Sequence, residues 1–279
     1  MRPRSLVFTL FGDYFRYCGD GEAPLRGLSD VLQLFEVEPA TTRVVMSRLR
    51  AEGWFETRRD GRLTTYVLSP KAWQLLDEGR ERIFRHVSGE WDGQWTLIAT
   101  RASDRSARDE VRKQLTWLGF GQLQPAIWVA PGDRMAAARD LMETNGVSSD
   151  VFLSRSGDLD HDRSIAARGW DLDALDALYG RFVAQHDSPV DGGTHDDALV
   201  ARVRLTDDYR RFPFTDPDLP ADLLPAGWNA PRAHEVFVRR HDELRPGATS
   251  AIERLTGMTV RGAHRAFLDG GAVGFTRER

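Results

Sequence analysis

Short polar and cationic side chains recur along one face of residues 39–52, at the spacing of an α-helix. Arginine can donate two parallel hydrogen bonds to a guanine edge, and serine or threonine can reach bases or phosphates. The face consists of Thr41, Arg43, Val44, Ser47, Arg48 and Arg50. Such a face fits the major groove of double-stranded DNA. We expect Arg43, Ser47 and Arg48 to contact bases and phosphates, with Thr41 and Val44 beside them.

Arginine is concentrated between residues 40 and 62, where six arginines stand against three carboxylates and leave a net charge of +3. Asp60-Gly61 lies between two runs of β-favouring residues and predicts a tight hairpin within residues 54–68. The tip of this hairpin carries Arg58, Arg59 and Arg62. We expect these three arginines to bind phosphates or the minor groove.

Three helices are expected ahead of this hairpin. Apolar periodicity predicts them over residues 5–17, 25–35 and 39–52, and Gly53 suits the end of the third. The side chains that would pack the third helix on the other two are Thr42, Val45, Met46 and Leu49. Three helices followed by a basic hairpin is the order of a winged helix-turn-helix, a DNA-binding domain. The alternative is a generic small α+β domain with a charged hairpin.

The composition favours a folded cytoplasmic protein. Hydrophobic residues make up 41% and charged residues 29% of the 279 residues, enough for two or three domains. No apolar run approaches the roughly 18 residues of a membrane span, and the basic N-terminus lacks a secretory apolar stretch. One cysteine, Cys18, excludes an internal disulfide. The net charge of −4 is uneven, with +1 in residues 1–90 and −5 in the remainder.

The rest of the chain predicts two further domains, so that the whole is an α+β protein. The winged helix-turn-helix, with a connecting helix over 70–89, would occupy residues 1–90. Residues 91–157 predict the order β-α-β-β-α-β of a ferredoxin-like domain, with Asp104 capping its first helix. Residues 158–279 predict a helical C-terminal domain. In this part of the chain, residues 156–169 read as a loop and residues 171–187, 194–210, 230–244 and 247–256 as helices.

The chain resembles the PaaX repressors of phenylacetic acid catabolism. The resemblance rests on residues 4–14, Ser47-Arg48-Leu49, Gly53-Trp54, residues 170–175 and the proline-rich segment from Tyr209 to Trp228. It implies a homodimeric, GntR-like winged-helix repressor of an aromatic or acyl-CoA catabolic operon. It also implies release from the DNA operator by a small-molecule inducer, an acyl-CoA thioester such as phenylacetyl-CoA.

The middle segment also resembles a small CRISPR adaptation nuclease with a ferredoxin-like fold, through Ser103-Asp104 and residues 118–129. This resemblance implies an alternative function, a metal-dependent nuclease. That nuclease places a metal-binding aspartate at the end of its first strand, where this chain has Arg101. An arginine cannot coordinate Mg²⁺, which requires oxygen ligands. We therefore expect no enzymatic activity, and a use of this domain in dimerisation or signal relay.

Two acidic clusters carry potential metal ligands, but neither has the full pattern of a metal site. Residues 158–162 begin like a calcium loop but lack its glycine and its final glutamate, since Arg163 and Gly169 stand there. His195-Asp196-Asp197 suits a helix start, where acidic groups favour the positive end of the helix dipole. We expect neither a metal nor a resident cofactor, and no membrane partner.

Overall fold

A computed structural model describes residues 1–84, 91–101, 105–188 and 193–261. These residues form a mixed α+β fold with eleven α-helices and two antiparallel sheets, as the expected α+β class requires. The contacts divide the chain into two compact units. The first consists of Met1–Phe84, Phe182–Arg210 and His234–Arg279, and the second of Arg85–Arg181 and Arg211–Ala233. The expected division into three successive domains stays a prediction.

The N-terminal part of the first unit has three helices, a small sheet and a fourth helix. Its elements are α1 (Pro3–Asp13), β1 (Glu22–Pro24), α2 (Leu25–Gln33), α3 (Pro39–Ala51), β2 (Phe55–Asp60), β3 (Leu63–Leu68) and α4 (Pro70–Phe84). The sheet has the order β1-β3-β2, and both pairings are antiparallel. The first helix ends earlier than expected because the backbone leaves the helical region at Tyr14, with φ −135°. Residues 85–89 of the expected connecting helix lie outside the described residues.

The C-terminal region contributes helices to both units. They are α7 (Leu159–Gly169), α8 (Leu172–His186), α9 (His195–Tyr209), α10 (Ala230–Glu243) and α11 (Arg245–Thr256). The expectation of a loop over residues 156–169 is wrong, because Asp158 caps α7 by accepting a hydrogen bond from the backbone of Asp160. A capping box between Thr194 and Asp197 begins α9, which confirms the expected helix start.

The second unit contains a four-stranded antiparallel sheet in the order β5-β6-β4-β7. Its elements are β4 (Trp95–Thr100), α5 (Arg105–Trp117), β5 (Gly121–Gln124), β6 (Ile127–Pro131), α6 (Met135–Thr144) and β7 (Ser149–Ser154). One face of the sheet packs on α5 and α6, and the other packs on α7. The indole of Trp95 donates a 2.7 Å hydrogen bond to buried Asp162, which ties α7 to β4. Asp104, the expected cap of α5, lies outside the described residues.

The apolar core of the first unit is built from both ends of the chain. Leu6, Leu28 and Met46 of the first three helices are fully buried. Leu199 of α9 and Ile252 of α11 belong to the same cluster and are also fully buried. The three N-terminal helices therefore do not complete their core by themselves, since the C-terminal helices cover part of it.

Charged groups are buried where α1, α9 and α10 meet. Arg202 is fully buried and donates from Nε to the carbonyl of His241 at 2.9 Å, while a second guanidinium nitrogen lies 3.2 Å from Nδ1 of His241. Thr206 donates to the carboxylate of Asp13 at 2.8 Å, and the carboxylate lies 3.7 Å from Nε2 of His241. Since Arg202 can only donate, Nδ1 of His241 accepts and the ring is neutral.

This arrangement lowers two pKa values. Burial lowers the pKa of His241 below its ordinary value of 6.5, and the charge of Arg202 lowers it further against the opposing effect of Asp13. Burial alone would raise the pKa of Asp13. The nearby Nε2–H of the His241 ring, the charge of Arg202 and the hydroxyl of Thr206 together lower it to about 2.

Replacing Gly27 by alanine should destabilise the first unit. An added Cβ would lie 2.9 Å from Cα of Thr256, where α2 touches α11, and backbone cannot yield as a flexible side chain would. Overpacking of this kind costs about 1–3 kcal/mol. Gly79→Ala in α4 is the matched control, because nothing lies within 4 Å of its added Cβ. We expect the melting temperature to fall for Gly27→Ala and to hold or rise for Gly79→Ala; equal melting temperatures would contradict the close packing.

Acidification should destabilise the protein through His241. Because its pKa is lower in the folded state, the unfolded chain binds the proton first, so stability falls as pH drops below about 6.5. One proton gives a slope of at most about 1.4 kcal/mol per pH unit. Denaturant unfolding between pH 5 and 7.5 should show this slope in the parent and a shallower one in His241→Gln. His161→Gln, at an exposed histidine, is the control; an unchanged slope in His241→Gln would exclude His241 as the source.

Candidate nucleic-acid interface

The buried side of α3 determines which side faces solvent. Pro39 in the first turn favours the start of the helix. Arg48 and Arg50 in the last turn interact favourably with the negative end of the helix dipole, and Gly53 follows with φ +78°. Thr42, Met46 and Leu49 are buried, and Val45 is half-buried against the same core. The expected packing side is confirmed, and α3 is held by an apolar stripe along one side.

The opposite side of α3 is exposed along its whole length. We call Thr41, Arg43, Val44, Ser47 and Arg48 the polar face; every one of them is exposed, and so is Arg50. Within the described residues, Arg43, Arg48 and Arg50 form no ion pair. Their charges are therefore not neutralised by neighbouring carboxylates, and three guanidinium groups are available to an anionic partner.

The hairpin of β2 and β3 turns over two residues. Asp60 pairs with Leu63, so Gly61 and Arg62 form the loop. Of these two, Gly61 has a positive φ of 55°, which matches the glycine-first pattern of a type II′ turn. The hairpin is confirmed, with its turn one residue later than the Asp60-Gly61 pair suggests, and Arg62 lies in the turn itself.

The three arginines of this hairpin do not share one face. Successive residues of a strand point to opposite sides, so Arg59 lies on the side of buried Phe55 and Tyr66, and Arg58 lies on the other side. All three arginines are exposed. Arg58 forms an ion pair with Glu22 of β1, whose side chain is largely buried. Arg59 and Arg62 form no ion pair with any residue in the described ranges.

Tyr66 marks the place where the hairpin and α3 meet. Burial raises the pKa of its hydroxyl, and the charges of Arg50 and Arg59 oppose that rise. Both guanidinium groups are therefore within electrostatic reach of one hydroxyl. Since α3 also contacts β2 and both arginines are exposed, we call Arg50, Arg59 and the polar face together the basic surface.

Glu52 lies just before the hairpin and connects it to α1 through hydrogen bonds. Its carboxylate accepts a 2.6 Å hydrogen bond from Arg4 and a 3.0 Å hydrogen bond from the indole of Trp54, and both lower its pKa. Nζ of Lys71 lies 3.9 Å from the ring centroid of Trp54. These contacts link α1, the end of α3 and the start of α4 around the first residues of the hairpin.

Sequence reasoning missed the carboxylate that neutralises Arg58. Glu22 belongs to a three-residue strand, and its position beside the hairpin follows from pairing with Val67, 45 positions later in the chain. No local pattern signals such a long-range pairing. Sequence reasoning predicts Arg50 on the exposed side of α3 but assigns it no DNA contact. Its place beside Arg59 depends on the tertiary structure.

Three family models match the chain in succession. They are the PaaX-like protein model over residues 2–72, the PaaX protein central Cas2-like domain over residues 88–166 and the PaaX-like protein C-terminal domain over residues 170–254. The transcriptional repressor PaaX of Escherichia coli (strain K12) is 30% identical over 264 residues, which cover 89% of this chain and 82% of that repressor. The chain belongs to the PaaX family.

Membership in the PaaX family makes the chain a transcriptional regulator and not an enzyme. The geometry at Arg101 agrees with this: its guanidinium lies 3.0 Å from the carboxylate of Asp150, at the end of β4 where the nuclease alternative requires a metal-binding aspartate. No cluster of three or more potential metal-ligating side chains occurs in the described part of the chain. Across the same residues, no helix is long and apolar enough to cross a membrane.

A solved structure also resembles this PaaX-family chain. The uncharacterised protein Rv0674 from Mycobacterium tuberculosis superimposes with a TM-score of 0.58, over 81% of this chain and 89% of that one. The two sequences are 20% identical. At that identity the likeness supports the fold alone.

Proposed function

We propose that this chain is a repressor that binds operator DNA through α3 and the β2–β3 hairpin. The observation that carries the proposal is a set of exposed arginines without ion pairs among the described residues, Arg43, Arg48 and Arg50 on α3 and Arg59 on the contacting strand β2. Unpaired arginines on a helix opposite a buried apolar stripe are suited to phosphates and to base edges. The name of the Escherichia coli relative, a transcriptional repressor, supports the direction of control.

The arrangement supports a winged helix-turn-helix. In that fold the last of three helices lies in the major groove while the hairpin touches the adjacent backbone or minor groove. We assign base and phosphate contacts to Arg43, Ser47 and Arg48, with Thr41 and Val44 beside them. We assign phosphate or minor-groove contacts to Arg58, Arg59 and Arg62. Among these, Arg58 contributes least, because a phosphate must compete with Glu22 for it.

We propose the domain limits 1–90, 91–157 and 158–279, with a ferredoxin-like middle domain. The strand order β5-β6-β4-β7 and its antiparallel pairing support that topology.

We also propose a homodimer, in which two copies bind two half-sites of the operator. The edge strand β7 supports it: Phe152 is 52% and Leu153 43% exposed there, although natural proteins usually protect apolar sheet edges. A two-fold axis through such an edge would place identical residues against each other, as symmetric dimers require.

The regulated process follows from the family resemblance. We propose that the repressed operon serves aromatic or acyl-CoA catabolism and that the inducer is an acyl-CoA thioester such as phenylacetyl-CoA. An inducer releases the DNA only if it binds the released state more tightly than the DNA-bound state. The protein is proposed to be cytoplasmic, where DNA and acyl-CoA thioesters are both present.

Removing Arg48 or Arg43 should weaken specific binding. If each contacts a base, Arg48→Ala or Arg43→Ala costs about 1–3 kcal/mol on the operator and relaxes the preference at one position. Titrations of fluorescent operator and scrambled duplexes measure both effects. Arg112→Ala, at an exposed arginine of α5, is the control for lost charge. An unchanged affinity and footprint for Arg48→Ala and Arg43→Ala would remove α3 from the groove and overturn the proposal.

Salt dependence should separate the arginines of the hairpin. Arg59→Ala or Arg62→Ala should lower affinity for all sequences alike and reduce the slope of log K against log salt by about 1, because one phosphate contact is lost. Arg58→Ala should have a smaller effect, since Glu22 already neutralises it. Glu22→Gln should act in the opposite direction, with tighter binding and a steeper slope. Identical slopes for parent, Arg59→Ala and Arg62→Ala would place the hairpin away from the DNA backbone.

A further inference from the structure

Val44 is an apolar side chain at the centre of a polar surface. It is 50% exposed, whereas the residues three and four positions away on either side include Thr41, Ser47 and Arg48. These are its neighbours on the helix surface. An exposed valine surrounded by hydrogen-bonding groups is not needed for the fold, because its methyl groups contribute nothing to the buried stripe.

The position of Val44 around the helix axis places it opposite the buried stripe of α3. An α-helix turns by about 100° per residue, so Val44 lies about 160° from Thr42 and from Met46 and about 140° from Leu49. These three residues form the buried stripe. Val44 therefore lies at the apex of the exposed side, opposite the core. If the polar face enters the major groove, the side chain that points most directly toward the base pairs is Val44.

The major groove offers an apolar side chain one distinctive partner. Among the four bases, thymine alone carries a methyl group there, at C5, and the other edges present hydrogen-bond donors and acceptors. A valine cannot satisfy those polar edges and would leave them without their water. Its two methyl groups can pack against the thymine methyl and remove both from water.

We infer that Val44 reads the C5-methyl group of a thymine in each operator half-site. This inference rests on the proposed function and adds one base identity to it. Arg48 and Thr41 flank Val44 on one side of the apex and Ser47 on the other. The base pairs next to this thymine are therefore those that the polar side chains of the face reach by hydrogen bonding.

The test uses the full chain and duplexes that it selects itself. Purified protein enriches binding sequences from a random-sequence duplex pool. Each thymine of the enriched half-site is then replaced, one at a time, by deoxyuridine, which lacks only the methyl group. We expect one position per half-site at which deoxyuridine weakens binding by about fourfold, the factor that corresponds to one buried methyl group.

A variant assigns this loss to Val44. In Val44→Ala the difference between thymine and deoxyuridine at that position should fall below about twofold, from the fourfold set by one buried methyl group, while the other positions keep their effects. Leu63→Ala is the matched control, since Leu63 is an exposed apolar residue at the tip of the hairpin. It should preserve the full difference. Unfolding curves of Val44→Ala should match the parent, because the side chain is exposed.

The outcomes separate this inference from the function on which it rests. If sequences are enriched but no thymine responds to deoxyuridine, or if the response persists in Val44→Ala, the inference is wrong and the repressor proposal stands. If no sequence is enriched and no duplex binds, the proposed function itself fails, and the inference fails with it.

Discussion

One apolar core holds the helices that carry the basic surface, and residues from both ends of the chain complete it. Met46 and Leu49 of α3 belong to the same cluster as Leu199 of α9 and Ile252 of α11. Because the buried stripe of α3 is fixed there, the opposite side of the helix can only face solvent. The exposure of the polar face is therefore a consequence of packing, and it depends on residues about 150 to 200 positions later in the chain.

The charges of Arg202 and Asp13 fix the orientation of α9 and α10 on α1 more than they add to the free energy of unfolding. Taking Arg202 and Asp13 out of water costs several kcal/mol per ion, and their interactions repay this only in good geometry. Here the guanidinium is directed at the carbonyl and ring of His241, and the carboxylate accepts a hydrogen bond from Thr206. A shift of α9 or α10 along α1 would break these contacts and leave charges buried without partners. The cluster thus selects one register of the C-terminal helices on the first helix.

The sequence predicted most elements and the exposed side of α3, because both depend on local periodicity. It failed where long-range contacts decide. Residues 156–169 are polar and end in glycine, like a loop, but the sheet of the second unit gives Ala166 and Asp162 buried positions and so stabilises α7. The opposite orientations of Arg58 and Arg59 follow from the alternation of side chains along a strand, which the expected hairpin already contains. The ion pair of Arg58 with Glu22 instead depends on the long-range pairing of β1 with β3, which no local pattern predicts.

The contacts of α11 with α2, and of α2 with α3, show how the C-terminal helices position the basic surface. Gly27 of α2 lies so close to Thr256 of α11 that even one methyl group has no room between them. The turn that leads from α2 into α3 is short and contains Glu36 in the left-handed region, with φ +62°. Close packing and a strained turn leave α2 little freedom to move relative to α11 and α3, because protein interiors are densely packed. The position of α11 therefore limits where α2 can lie, and through the short turn it limits the direction in which α3 presents the polar face.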